Sequence, residues 1–173
     1  MQKSLMMIHT GDGKGKTTAA LGLAFRSLGH GRKVCMIQFI KSDRQTGELA
    51  ACNRFPELME CHVMGAGFTW KSPDKTPHLL AAEAAWRLAR QKISSATYDL
   101  VILDEMTYPL AYGMIPEEEV IDFLMKRPPN THVLITGRNA SATLVAAADM
   151  VTEMVSVKHH FGAGIKAEQG IEF

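Results

Sequence analysis

Residues 10–18 read Thr10-Gly11-Asp12-Gly13-Lys14-Gly15-Lys16-Thr17-Thr18. A short apolar run of strand length, Leu5 to Ile8, precedes them, and Thr17 to Leu28 follows as a helix ended by Gly29 and Gly31. A glycine-rich turn between a strand and a helix is the setting of a phosphate-binding loop. Glycines let successive backbone N–H groups turn inward around phosphate oxygens, and the helix start adds the positive end of its dipole. Lys16 then places a point charge against the outer phosphates, and the Thr17 hydroxyl can ligate Mg2+. The strict pattern asks for glycine at position 10, where this chain has Thr10, so the start of the loop is a variant. Asp12 has to point outward, because phosphates in the loop would repel a carboxylate. The competing reading is a plain glycine-rich turn with solvated lysines.

The second half of a nucleotide site is an acidic residue at the end of an apolar strand. Leu100-Val101-Ile102-Leu103-Asp104-Glu105 supplies two adjacent carboxylates there, as direct or water-mediated Mg2+ ligands. Between and beyond these landmarks, short apolar runs alternate with longer amphipathic ones. Strands are expected at Val34 to Ile40, Met59 to Met64, Val133 to Thr136 and Met150 to Val157. Helices are expected at Gly47 to Arg54, Pro77 to Ile93, Pro116 to Met125 and Ser141 to Ala148. Leu79, Ala82, Trp86, Ala89 and Ile93 recur at spacings of 3 and 4, so they share one helical face and Trp86 reads as core. Gly65 to Pro77 reads as a loop, and Lys158 to Phe173 shows no period. Strands alternating with helices predict an α/β domain over 1–173, with a mostly parallel sheet of about six strands and helices on both faces.

Composition narrows the partners. The 173 residues carry 19 Lys and Arg against 18 Asp and Glu, which leaves no basic field for sequence-independent nucleic-acid binding. No apolar run reaches membrane-spanning length, and the N-terminus lacks a cleavage site, so a cytoplasmic protein without a signal peptide is expected. Three cysteines, Cys35, Cys52 and Cys61, form no CxxC pair and fit free, buried thiols in a reducing compartment. A metal site built on Cys52, Cys61 and His62 matches no zinc spacing. Small phosphoryl-transferring kinases gather arginines in a mobile lid. Here the eight arginines are scattered and no segment gathers three, which weighs against that class.

The chain resembles the P-loop ATP:corrinoid adenosyltransferases. The resemblance begins with TGDGKGKTTAALG and runs through Gly29-His30-Gly31, Gln38-Phe39-Ile40-Lys41, Gly67-Phe68-Thr69-Trp70 and Tyr98 to Glu105. It resumes at Arg127-Pro128, Ile135-Thr136-Gly137-Arg138 and Lys158-His159, and closes with Ala163 to Phe173. The phosphate loop alone is generic, whereas the GFTW loop and the C-terminal tail are specific. The resemblance implies a RecA-like P-loop NTPase fold and transfer of the 5′-deoxyadenosyl group of ATP to the cobalt(I) of a corrinoid, with triphosphate leaving intact. ATP and the corrinoid are then substrates, and Mg2+, or Mn2+ in its place, is the cofactor.

The resemblance also implies residue roles. Gly11, Asp12, Gly13, Lys14, Gly15, Lys16, Thr17 and Thr18 bind the nucleotide, with Lys16 and the amides from Gly11 to Lys16 stabilising charge on the leaving triphosphate. Thr17 and Glu105, with Asp104 nearby, hold the metal. Phe68 and Trp70 act as an apolar wedge that strips the lower axial ligand from cobalt, which eases its reduction. Without the family match, two aromatics in a loop read as a surface anchor or core plug. Met64 and Met114 could line a corrin pocket or serve as filler, and His159 with His160 could touch a substrate or stand solvated. Arg138 and Lys41 are candidate phosphate or corrin-amide contacts. A separate flavoprotein reductase and a homodimer are implied as well. Relatives often carry an N-terminal lid, and here ten residues precede Gly11, so its role is expected to be lost or taken by another segment. Two alternatives stay open: a small kinase or ATPase, and a non-catalytic corrinoid or nucleotide carrier.

Overall fold

A computed structural model describes residues 4–42, 45–67 and 74–172. Six strands, β1 (Met6–Thr10), β2 (Val34–Gln38), β3 (Met59–Val63), β4 (Leu100–Asp104), β5 (His132–Thr136) and β6 (Met150–Glu153), form one sheet in the order β3-β2-β4-β5-β1-β6. Every pairing is parallel, so the expected mostly parallel sheet is parallel throughout. The helices are α1 (Lys16–Gly29), α2 (Gly47–Cys52), α3 (Thr76–Ser94), α4 (Thr107–Ala111), α5 (Glu117–Met125) and α6 (Ala142–Ala147).

Side-chain alternation explains why both faces are covered. Along β4, Leu100 and Ile102 point to one face and Val101 and Leu103 to the other. The first face packs on Ala20, Ala24 and Leu28 of α1. The second packs on Ala82, Ala85, Trp86, Ala89 and Ile93 of α3 and on Val120 and Leu124 of α5. A strand buried on both faces has to be apolar throughout, as VCMI and LVIL are. Trp86 is core, as its spacing predicts; its indole N–H donates to Glu119 Oε1 at 3.1 Å and its ring meets Phe123 edge-on. Leu79, placed on the same face by spacing, is exposed one turn from the helix start.

Some boundaries differ from expectation for identifiable reasons. β6 ends at Glu153 rather than Val157, because the Met154 carbonyl accepts the Gly13 N–H at 2.7 Å and the chain then leaves the sheet beside the loop. Helix α4 went unread because TYPLA carries Pro109 and is too short to show a period. Cys35 and Cys52 are buried and Cys61 is half-buried, and all three are free thiols. Among the described residues, Cys35, Glu60 and His62 bring ligand atoms within 4.8 Å of one another. Glu60 is already held by Lys92, the Tyr98 hydroxyl and His62, so this cluster is an ion-pair network on the edge strand β3. Among the described residues, no helix is long and apolar enough to cross a membrane.

The topology fixes the site. Strand β5 lies between β1, which feeds the glycine loop, and β4, which ends in Asp104, the arrangement of RecA-like P-loop folds. All six strands run the same way, so their C-terminal ends share one edge. In open parallel sheets that edge carries the ligand.

Candidate active site

The loop after β1 is tied to its neighbours by close backbone contact. A Cβ on Gly11 (φ +92) would lie 2.4 Å from the Met154 carbonyl oxygen, and one on Gly13 would lie 2.7 Å from it. These glycines therefore also make room for the chain leaving β6. The Gly13 N–H is taken by Met154, a correction to the expectation that every amide from Gly11 to Lys16 faces phosphate. Thr10, in place of the template glycine, ends β1 and accepts the Ala140 N–H on its hydroxyl at 3.2 Å. Asp12 is exposed and outside the cleft lining, as its charge requires.

Lys16 opens α1, and its ammonium folds back onto the loop, donating to the Gly11 and Gly13 carbonyls at 2.6 and 2.7 Å. Burial, and then the Arg138 guanidinium, lower its pKa from the ordinary value. Thr17 Oγ1 donates to Asp104 Oδ1 at 2.8 Å. Because the hydroxyl proton is directed to Asp104, its lone pairs stay available to a ligand in the cleft that Thr17 lines. Thr136, at the end of β5, donates to the same Asp104 oxygen at 2.7 Å and accepts the Glu105 N–H at 2.9 Å. Gln38, at the end of β2, donates to Asp104 Oδ2 at 3.3 Å and to Glu48 Oε1 at 3.2 Å. Both oxygens of fully buried Asp104 are thus engaged by protein donors, so it fits the orienting of Thr17 better than direct ligation of a metal.

Glu105 is built differently. Its backbone is left-handed at φ 61, which costs a non-glycine residue about 1–3 kcal/mol and is held here by the bond to Thr136. Its Oε2 is buried with no hydrogen-bond partner among the described residues. Burial, and then the Asp104 charge, raise its carboxyl to about 7. An orphaned buried carboxylate oxygen on a residue that lines the same cleft as the Thr17 hydroxyl fits a hard divalent cation.

These groups line a cleft of about 920 Å³ with Gly13 to Thr18, Lys41, Glu48, Tyr108, Arg138, His159 and the tail residues Gly170 to Glu172. Of the residues singled out by sequence, the structure brings Gly13, Lys14, Gly15, Lys16, Thr17, Thr18 and Glu105 together here, with Asp104 just beneath. Lys41 joins them, ion-paired to Glu48. His159 lines the cleft and stacks on His160, whereas Met64 and Met114 pack on the core as filler. Phe68 and Trp70 lie outside the described residues. The root of their loop is fixed: the Gly67 N–H donates to the Ile40 carbonyl at 3.0 Å, and a Cβ on Gly65 would lie 2.1 Å from that carbonyl.

Sequence reasoning gave no role to Gln38, Glu48, Thr136 or the tail at Gly170 to Glu172. Gln38 and Thr136 did carry a signal, since each is a polar residue at the end of an otherwise apolar, fully covered strand. Glu48 carried none, and the tail was marked only as part of the family resemblance, with no role for its residues.

A family model described as ATP:corrinoid adenosyltransferase BtuR/CobO/CobP matches residues 2–173. The chain is similar to the corrinoid adenosyltransferase of Pseudomonas aeruginosa, at 45% identity over 172 residues, covering 99% of this chain and 85% of that protein. It is also similar to the corrinoid adenosyltransferases of Sinorhizobium sp (42% over 174 residues, 99% and 81% covered) and of Escherichia coli K12 (41% over 172 residues, 99% and 87% covered).

Proposed function

The chain belongs to the ATP:corrinoid adenosyltransferase family, and on that premise we propose how its cleft carries out the transfer. The enzyme moves the 5′-deoxyadenosyl group of ATP to the cobalt of a corrinoid, in adenosylcobalamin synthesis. The cobalt(I) electron pair attacks C5′ of the ribose. A Co–C bond forms, the C5′–O bond breaks, and its electrons leave on the triphosphate. No proton is removed from the nucleophile, so neither Asp104 nor Glu105 serves as a base. The bond from Thr17 to Asp104 instead gives the carboxylates an orienting and cation-holding part.

The reacting atom lies at the opposite end of the triphosphate from the one a kinase attacks. The family resemblance implies that ATP sits reversed in the loop, with its γ-phosphate near the usual α position and C5′ open to the corrinoid. Negative charge accumulates on the departing oxygen, and catalysis requires fixed donors where it accumulates. Lys16, the free amides at the start of α1 and Arg138 are the groups of this chain suited to that task. Thr17 and Glu105 would hold Mg2+, with Asp104 orienting Thr17. The cation supplies additional positive charge to the polyphosphate. The observation that carries this reading is the direct bond from the loop threonine to the acidic end of β4, beside a carboxylate oxygen with no protein partner.

Incubation with MgATP and chemically reduced corrinoid tests the reaction. Triphosphate together with a light-sensitive Co–C bond is the expected outcome. ADP without such a bond would point to γ-phosphoryl chemistry, and tight binding without turnover to a carrier.

The reading also assigns Phe68 and Trp70 to the wedge that displaces the lower axial ligand of cobalt, since an apolar side chain offers no replacement lone pair. It includes a separate flavoprotein as reductant and a homodimer in the cytoplasm. Phe68→Ala and Trp70→Ala are expected to impair turnover from cobalt(II) more than turnover from pre-reduced cobalt(I). Parallel assays from the two oxidation states measure this, and equal losses in both would remove the wedge assignment.

A further inference from the structure

The last described residues lie across the phosphate loop. Gly170, Ile171 and Glu172 line the same cleft as Lys14, Gly15 and Lys16. The Lys14 ammonium donates to Glu172 Oε2 at 2.8 Å and to the Ile171 carbonyl at 3.1 Å. The strap is braced from within, because the Ile171 and Glu172 N–H groups both donate to the Glu168 carbonyl, at 3.1 and 2.8 Å. His160 Nε2 lies 3.8 Å from the other Glu172 oxygen.

The three lysines of the cleft are therefore held differently. Lys41 carries the carboxylate of Glu48, and Lys14 carries that of Glu172. Lys16 rests on two neutral carbonyls. A polyanion that takes an ammonium from a carboxylate has to displace a charged competitor, whereas a neutral carbonyl competes far less. The difference matters most after the transfer. Cleavage of the C5′–O bond leaves triphosphate with one more negative charge than it bore within ATP. A cationic loop then grips the product harder than the substrate, and the product has to leave.

We propose that Glu172 sets the affinity of the loop for its polyphosphate product, by competing with the polyphosphate for Lys14. It acts through Lys14 rather than on the substrate itself, and the inference rests on the reading of this loop as a triphosphate cradle.

The test is the affinity of the full-length protein for inorganic triphosphate, measured by calorimetry in wild type, Glu172→Gln, Lys14→Ala, the double variant and Lys16→Ala. An exposed ion pair of this kind sets a modest scale, so Glu172→Gln should bind triphosphate about two- to five-fold more tightly. The gain should shrink in high salt, which screens exposed charges. It should vanish in the Lys14→Ala background. A strap that served only as packing would lose affinity when loosened, so unchanged or weaker binding in Glu172→Gln overturns the proposal. So does a gain that persists without Lys14. Lys16→Ala separates the two levels. If it leaves triphosphate binding unchanged, the cradle reading fails; if it weakens binding while Glu172→Gln does nothing, only the role of Glu172 falls.

Discussion

Replacement of Lys16 by alanine is expected to lower turnover by about 100- to 1,000-fold, the usual cost of losing one fixed charge or donor from a developing oxyanion. The ammonium is already in position, held 2.6 and 2.7 Å from the carbonyls of Gly11 and Gly13. Those carbonyls are neutral, so little competes with a polyphosphate for its charge. Because Lys16 sits at the surface of the cleft, the fold should survive its truncation, with melting temperature as the control. The loss should fall on kcat with reduced corrinoid in excess, since the charge is needed most when the C5′–O bond breaks. Near wild-type turnover would contradict the orientation proposed for the triphosphate.

Glu105→Gln should act in opposite directions on activity and on stability. Loss of a charged metal ligand costs at least the roughly 100-fold seen at the upper end for outer-shell changes, read as the Mg2+ concentration needed for half-maximal turnover. Stability should respond the other way. Burial and Asp104 raise the Glu105 carboxyl from 4.5 to about 7, so the folded protein holds this proton more tightly than the unfolded chain. The cation-free protein then loses stability as pH rises from about 4.5 to about 7, and no more above that. Glutamine removes the titration. The variant should therefore show no Glu105-linked fall across this window and should melt above wild type at pH 8 without cation. Cation binding needs the ionised carboxylate and should strengthen through the same window in wild type only. Denaturant melts in a chelator, at pH 5 and pH 8, check the stability half. A variant less stable than wild type at pH 8 would mean that the carboxylate is a structural group rather than one kept for a cation.

The fold could be read from the sequence where each residue's surroundings dictate its type. LVIL had to be a strand covered on both faces and VCMI read as a strand, and the sheet buries both segments throughout. The spacing of Ala82, Trp86, Ala89 and Ile93 gave the buried face of α3, whereas Leu79, one turn from its start, is left partly exposed. Local signals failed where long-range contacts decide. Nothing near Gly13 in sequence announces that Met154 will take its amide, and so β6 was drawn too long.

The site divides in the same way. Lys16, Thr17, Asp104 and Glu105 were visible because a glycine loop and a carboxylate-ended strand are local patterns. Their connection through Thr136 and Gln38 depends on strand order, with β5 between β1 and β4 and β2 on the far side of β4. Glu48 and Glu172 belong to a short helix and an irregular tail, whose sequences carry no periodic signal. Their importance lies in which lysine each one meets, and that is settled only in three dimensions.

The central claim is that the bond broken is the one from C5′ to oxygen. ATP labelled with oxygen-18 at the atom bridging C5′ and the α-phosphorus tests it most directly, in one turnover with reduced corrinoid and mass analysis of both products. The account predicts that all of the label leaves in triphosphate, because that oxygen departs with the electrons of the broken bond. Label retained on the nucleoside, or found in ADP, would show cleavage at phosphorus and contradict the account.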